Sequence, residues 1–312
     1  MSRSVLALLD VRPAYTEMLA QKYDLHRWDL LDDKQGFLNQ TGKDITALVT
    51  SAGFGLPDGL IDDLPNLEVI TSFGVGYDSI DIEACRARGI HVSNTPDVLT
   101  DDVADTGIML MHATLRRIVV GDHWARSGQW EQKGAMALTR SVRGKKLGIV
   151  GLGRIGQGIA SRAEPSGVEI GYFGRSPKQV DYRYFDDLVA LAQWADILMV
   201  ACPGGDATKG IVNAPVLSAL GKDGYVVNIA RGSVIDEPAL IDALRNGVIA
   251  GAGLDVFHNE PNMDRAFADF DNVVLYPHSA SGTVETRDAM AQLVVDNLDA
   301  WDQRGELVTP VV

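Results

Sequence analysis

The chain has 312 residues, 46% apolar and 22% charged, with a formal charge of −14. That length predicts two domains with cores of their own, and the composition excludes wholesale disorder, collagen and a small disulfide scaffold. The acidic balance speaks against a nucleic-acid partner, no apolar run approaches the ~20 residues of a membrane span, and only two cysteines, Cys85 and Cys202, point to a reducing, cytoplasmic compartment.

The opening residues, Met1-Ser-Arg-Ser-Val5-Leu-Ala-Leu-Leu-Asp10, offer five apolar positions before an aspartate. Such a core is too short for a signal peptide and predicts a first β-strand over 5–9. Strand-length apolar runs recur at 47–50, 69–72 and 91–93. At Thr100-Asp-Asp-Val103 a hydroxyl and two acids stand where a starting helix favours a cap and negative charge, and a helix is predicted over 100–119. Beyond it, Trp124 and Trp130 are candidate interface anchors, with burial in a core as the plain alternative. Between 140 and 178 eight basic residues (Arg140, Arg143, Lys145, Lys146, Arg154, Arg162, Arg175, Lys178) face only two acids, Glu164 and Glu169. This reads either as a local site for an anion or as a solvated face whose acidic partners lie elsewhere.

From 147 onward, strands at 147–150, 168–173, 196–200, 225–229, 250–256 and 273–276 alternate with helices at 154–163, 186–195 and 237–245. Strand and helix in alternation predict a doubly wound parallel sheet. Near the end, Met290, Leu293, Val294, Leu298 and Trp301 recur with helical period over 284–301. Two long helices joining the halves imply a discontinuous first domain, 1–99 plus 288–312, with 100–287 inserted as the second.

Gly151-Leu-Gly153-Arg154-Ile155-Gly156 directly follows the strand at 147–150 and opens a helix. Strand, G-x-G-x-x-G and helix in this order are what a dinucleotide pyrophosphate requires. Gly151 makes the tight turn, Gly153 lets backbone N–H groups approach phosphate, and Gly156 allows close helix–strand packing at a positive helix end. The next strand ends in Gly174-Arg175-Ser176-Pro-Lys178. NAD-binding chains usually carry an acid there for the ribose 2′-OH, whereas Arg175 offers a 2′-phosphate a charge-assisted partner, with Ser176 beside it. NADP(H) is therefore expected over NAD(H), against the ordinary alternative of a solvated loop arginine.

Three further motifs end strands, where doubly wound sheets build their sites: Asn228-Ile-Ala-Arg231-Gly, Asp255-Val-Phe-His-Asn-Glu260-Pro261 and Tyr276-Pro-His278-Ser-Ala-Ser281. Reducing a 2-oxo acid needs a cation for the carboxylate and ketone, a proton donor near neutrality, and a carboxylate to orient that donor. Arg231, His278 and Glu260 fit those roles in that order, although each alone is also compatible with an ordinary structural role. The six histidines, at 26, 91, 112, 123, 258 and 278, lack ligand spacing, so no metal site is expected.

The sequence resembles the D-isomer-specific 2-hydroxyacid dehydrogenases, most closely their glyoxylate/hydroxypyruvate reductase branch. The resemblance rests on Phe73-Gly-Val-Gly-Tyr-Asp-Ser-Ile-Asp81, Asn94-Thr-Pro-Asp-Val-Leu-Thr100, Val103-Ala-Asp105, Gly148 through Gly156, Val227-Asn-Ile-Ala-Arg-Gly232, Gly253-Leu-Asp-Val-Phe257, Glu260-Pro261 and Pro277-His278. It implies a Rossmann-type cofactor domain inserted in a flavodoxin-like substrate domain. It implies that Arg231 and His278 bind the substrate, that His278 is the acid/base and that Glu260 pairs with it. The amides of Val75 and Gly76 would hold the substrate carboxylate. Gly153, Arg154, Ile155, Gly174, Arg175, Ser176, Cys202, Ala230, Asp255 and Ala280 match positions that line the cofactor. Cys202 would be a wall without thiol chemistry, and Asp255 would alternatively support Arg231.

The expected reaction is NADPH-dependent reduction of a short 2-oxo acid to the D-2-hydroxy acid, by a homodimer that binds neither nucleic acid nor membrane. One alternative is a reductase for a bulkier acid, a 2-ketoaldonate or hydroxyphenylpyruvate. Another is a dinucleotide-sensing binding protein, against which the acid/base set weighs. Pro165 departs from the family pattern and is expected to end its helix early. The sequence ends at Val312, so the extra regulatory domain of some phosphoglycerate dehydrogenases is not expected.

Overall fold

A computed structural model describes residues 3–312. The chain divides into two compact units, Met1–Leu99 with Ser281–Val312, and Thr100–Ala280. The first unit begins with β1 (Ser4–Ala7), α1 (Pro13–Lys22), β2 (Asp24–Arg27), α2 (Lys34–Thr41), β3 (Ile45–Thr50), β4 (Val69–Ser72), α3 (Ile82–Ala87) and β5 (His91–Ser93). Local chemistry starts these helices. Pro13 opens α1 with its φ preset, while the Asp33 and Asp81 carboxylates accept from the amides of Gly36 and Ala84. The strands form a parallel sheet in the order β2-β1-β3-β4-β5, the flavodoxin-like arrangement.

The second unit carries α4 (Thr100–Leu115), α5 (Ile118–Arg126), α6 (Gln129–Lys133), β6 (Lys146–Val150), α7 (Arg154–Ala163), β7 (Glu169–Phe173), β8 (Arg183–Phe185), α8 (Leu188–Trp194), β9 (Ile197–Val200), α9 (Ala214–Leu220), β10 (Tyr225–Asn228), α10 (Glu237–Arg245), β11 (Gly251–Leu254) and β12 (Val273–Leu275). Its seven strands are all parallel, in the order β12-β11-β10-β9-β6-β7-β8. The strand order reverses between β6 and β9, the switch point at which such sheets bind ligands beyond the carboxyl ends of their strands. Residues of β6, β9 and β10 are almost wholly buried, which explains their unbroken apolar runs.

The first unit is completed by α11 (Val284–Arg304), whose N-cap Thr283 accepts from the Thr286 amide. The division at Ser281 falls seven residues before the expected 288, which lies inside α11. The helix is one element packed against β4 and α1, so it joins the first unit whole. On the sheet's other face Leu6, Leu48, Ile70 and Val92 form a core with Trp28, Leu38, Leu60 and Leu64.

The structure corrects the helix expected over 100–119. It stops at Leu115, Arg117 adopts a left-handed φ of 49°, and α5 restarts at Ile118. The buried face of α4 (Val103, Gly107, Leu110, Met111, Leu115) rests on β10, β11 and β12, whereas no residue of α5 is buried. Pro165 does end α7, which passes into a short 3₁₀ turn at Glu164–Ser166. Strands β2 and β8 went unread because Asp24-Leu-His-Arg27 and Arg183-Tyr-Phe185 lie at sheet edges and alternate too little to signal burial.

Candidate functional site

In the second unit the expected site residues lie beyond the carboxyl ends of the strands. After β6, Gly151 takes a φ of 95°, and a Cβ there would stand 2.6 Å from the Cys202 Cα. Cys202 follows β9 and is buried, and its thiol is pushed up to about 11 by burial, which keeps it protonated and unreactive. A Cβ on Gly156 would collide with the Gly151 carbonyl, so the turn closes tightly onto α7. At Gly153, by contrast, a Cβ would meet nothing within 4 Å, and this N-cap satisfies no amide of α7 with its own side chain. Open space over an uncapped helix start, entered through Arg154 and Ile155, fits a pyrophosphate.

Gly174, Arg175 and Ser176 follow β7, with Arg175 and Ser176 exposed. The loop is held from below: the Tyr184 hydroxyl donates to the Gly174 carbonyl at 3.1 Å, and the Lys178 amide donates to the Tyr172 hydroxyl at 2.7 Å. Both readings of the basic segment have a share in the structure. Arg140 pairs with Asp223, Lys145 with Asp196, and Arg162 with Asp101 and Asp105. Arg175 and Lys178 stand exposed at the end of β7.

The ends of β10, β11 and β12 carry the candidate acid/base group. Asn228, buried at the end of β10, shapes the turn into Arg231: its Oδ1 accepts from the Ala230 amide and its Nδ2 donates to the Arg231 carbonyl, both at 3.0 Å. The Arg231 guanidinium donates to the Ala230 carbonyl at 2.8 Å. Gly232 then passes so close to Phe257 that a Cβ would overlap its carbonyl group. This contact brings the Arg231 turn against the segment that carries Glu260.

His278 Nδ1 and Glu260 Oε2 are 2.5 Å apart, and the other oxygen of Glu260 accepts from the Phe257 amide at 2.8 Å. Burial pushes the Glu260 carboxyl up. The hydrogen bonds from His278 and Phe257, with the positive charges of His278 and Arg231, outweigh it and hold the group below its ordinary value. His278 itself has a left-handed backbone, φ 48°, and its amide donates to the Asp255 carbonyl at 2.7 Å. The buried Asp255 carboxylate accepts from the amides of Ser279 (2.7 Å) and Ala280 (3.2 Å). Burial pushes Asp255 up, against the pull of those amides and of the His278 charge. Its visible work is to fix the backbone on the far side of His278.

In the first unit, Val75 and Gly76 follow β4 in a turn opened by Gly74 at φ 151°. Asn228, Gly232 and the two tyrosines under the β7 loop were not singled out from sequence. The Asn228-to-Gly232 run was visible as a motif, but a buried amide folding back on its own turn leaves no periodic signal. Among the described residues no group of three or more His, Cys, Asp or Glu could hold a metal, and no helix is long and apolar enough to cross a membrane.

A family model for the NAD-binding domain of D-isomer-specific 2-hydroxyacid dehydrogenases matches residues 108–280. The chain is 46% identical over 312 residues to glyoxylate/hydroxypyruvate reductase A HPR2 of Arabidopsis thaliana, covering 100% of this chain and 99% of that protein. It is 45% identical over 309 residues to a 2-ketogluconate reductase of Gluconobacter oxydans, covering 99% and 98%. Among solved structures, an NADPH-dependent glyoxylate/hydroxypyruvate reductase from Sinorhizobium meliloti, in complex with NADP and malonate, matches with a TM-score of 0.93. The identity is 44%, over 100% of this chain and 97% of that one.

Proposed function

The chain belongs to the D-isomer-specific 2-hydroxyacid dehydrogenases, and from that premise we propose that it is an NADPH-dependent reductase of short 2-oxo acids, glyoxylate and hydroxypyruvate, yielding the D-2-hydroxy acid. The observation that carries this reading is the His278–Glu260 contact of 2.5 Å with the charge of Arg231 close enough to act on Glu260. With Nδ1 engaged by Glu260, His278 keeps Nε2 to give a proton to the oxygen that develops negative charge at C2. Glu260 orients the ring through Nδ1. Arg231 binds the carboxylate and polarises the ketone, and the Val75 and Gly76 amides are read as further carboxylate donors. When bound, the reduced nicotinamide supplies the hydride. Gly151, Gly153, Arg154, Ile155 and Gly156 would hold its pyrophosphate, Gly174, Arg175 and Ser176 its adenosine end, and Cys202, Ala230, Asp255 and Ala280 would line the remainder.

Arg175 and Ser176 at the end of β7 support NADPH over NADH. Exposed Ile118, Val119, Trp130 and Leu138 support a homodimer that covers the segment after α4, with Trp124 and Trp130 as anchors. Two free, buried cysteines support a cytoplasmic location. The near-equal likeness to a 2-ketogluconate reductase favours a second reading, in which the acid is bulkier.

The deciding experiment is His278→Ala. Turnover of glyoxylate and hydroxypyruvate with NADPH should fall by about 10²- to 10⁴-fold, while the dissociation constant for NADPH stays within about twofold of wild type. Turnover near the wild-type rate would remove His278 as the proton donor. If the wild-type enzyme binds NADPH but turns over only larger acids, the second reading takes its place.

A further inference from the structure

The Gly74–Gly76 turn is held by side chains to which none of the roles above has been given. Asn94 and Thr95, at the end of β5, are both buried. The Thr95 amide donates to the Gly74 carbonyl at 2.9 Å, and Thr95 Oγ1 accepts from the Gly74 amide at 3.0 Å. Asn94 Nδ2 donates to the Val75 carbonyl at 2.7 Å. A peptide group is planar, with its N–H opposed to its C=O. Tying the Gly74 carbonyl therefore aims the Val75 amide, and tying the Val75 carbonyl aims the Gly76 amide. The two N–H groups read as carboxylate donors are thus oriented by Thr95 and Asn94. A turn with glycine at both ends has little stiffness of its own.

Asn94 is itself gripped from the far end of the chain. The segment from Thr309 to Val312 runs antiparallel to β5, with Pro310 opposite Ser93, Val92 donating to Val312 at 2.9 Å and Val311 to Val92 at 2.7 Å. Thr309 Oγ1 donates to the Asn94 carbonyl at 2.6 Å. Asn297, fully buried on α11, sets Thr309 in turn: its Nδ2 donates to Thr309 Oγ1 at 2.9 Å, and its Oδ1 accepts from the Thr309 amide at 3.0 Å. The Thr309 hydroxyl thus accepts one hydrogen bond and donates another, which valine of the same shape cannot do.

We propose that Asn94 is a positioning residue for the substrate carboxylate, and that Thr309 and Asn297 tune that affinity through it without touching the substrate. The inference rests on the reading of Val75 and Gly76 as carboxylate donors. Three variants test it, Asn94→Ala, Thr309→Val and Thr309→Ser, in the NADPH-loaded enzyme. Loss of one orienting hydrogen bond is expected to raise the KM for glyoxylate about tenfold in Asn94→Ala. In Thr309→Val the rise should be about threefold on the same reasoning, with kcat changed by less than about twofold in both. Thr309→Ser, which keeps the hydroxyl, should return to the wild-type KM, and the dissociation constant for NADPH should not move in any variant. An unmoved KM, a serine variant no better than the valine one, or a parallel loss of NADPH affinity would overturn the proposal. Should Asn94→Ala fail to fold, the valine–serine pair carries the test. The parent reading is checked separately by titrating the wild-type enzyme with oxamate while following the ¹⁵N-amide resonances of Val75 and Gly76. Resonances that stay still overturn that reading and this proposal with it, whereas resonances that move beside an unaltered KM in the variants overturn the positioning role alone.

Discussion

Arg175 is exposed after β7, and its proposed contact with a 2′-phosphate is open to direct test. Arg175→Asp should raise the KM for NADPH by about 10- to 100-fold, the cost of losing a charge-assisted contact and adding repulsion. The KM for NADH should change little, and both are read side by side on glyoxylate. An unchanged preference would mean that the 2′-phosphate is recognised elsewhere. Glu260 supports a prediction in pH. Its folded value lies below the ordinary 4.5, because its hydrogen bonds and neighbouring cations outweigh burial. A carboxyl lowered on folding contributes stability that is complete above the unfolded value and lost as pH falls through the folded one. In urea melts, the stability difference between wild type and Glu260→Gln should shrink as pH falls below about 4.5. At this scale the sequence singled out Arg231, Glu260 and His278 by residue type, and the structure brings His278 and Glu260 into contact. The sequence was silent about Asn228, because nothing in a single sequence says that an amide will fold back to cap its own turn.

The elements were legible in proportion to their burial. Strands β6, β9 and β10 lie inside a sheet, bury nearly every residue and announce themselves as apolar runs. Edge strands β2 and β8 carry mixed residues and gave no signal. Helix α4 stops four residues short of the expected end, where Arg117 turns left-handed and α5 restarts, and no glycine or proline in the sequence marks that break. Turns show the same limit. Gly232 looked like one more glycine in a motif, yet it is the point at which the turn after β10 touches the segment after β11. Gly232→Ala would force those two backbones apart, at a cost of about 3 kcal/mol. Urea denaturation should show that loss, with activity falling further than stability because Arg231 is displaced along with its neighbour.

At the scale of the molecule, two parallel sheets of five and seven strands account for the length of the chain. Strand order was legible only through the recognised motifs, because an alternation of strand and helix does not say which strand lies beside which. The basic segment proved divided, part of it paired with acids up to 83 residues away. The discontinuity of the first unit has a consequence for its birth on the ribosome. Its first 99 residues include all five strands of the sheet, yet α11, which packs against β4 and α1, belongs to the last 32. The inserted unit is made in between, which takes roughly 10–40 s at about 5–20 residues per second. Throughout that interval part of the nascent sheet lacks its cover. The second unit can finish folding while the first still waits for its last helix, a window in which a chaperone that holds apolar strands has something to hold.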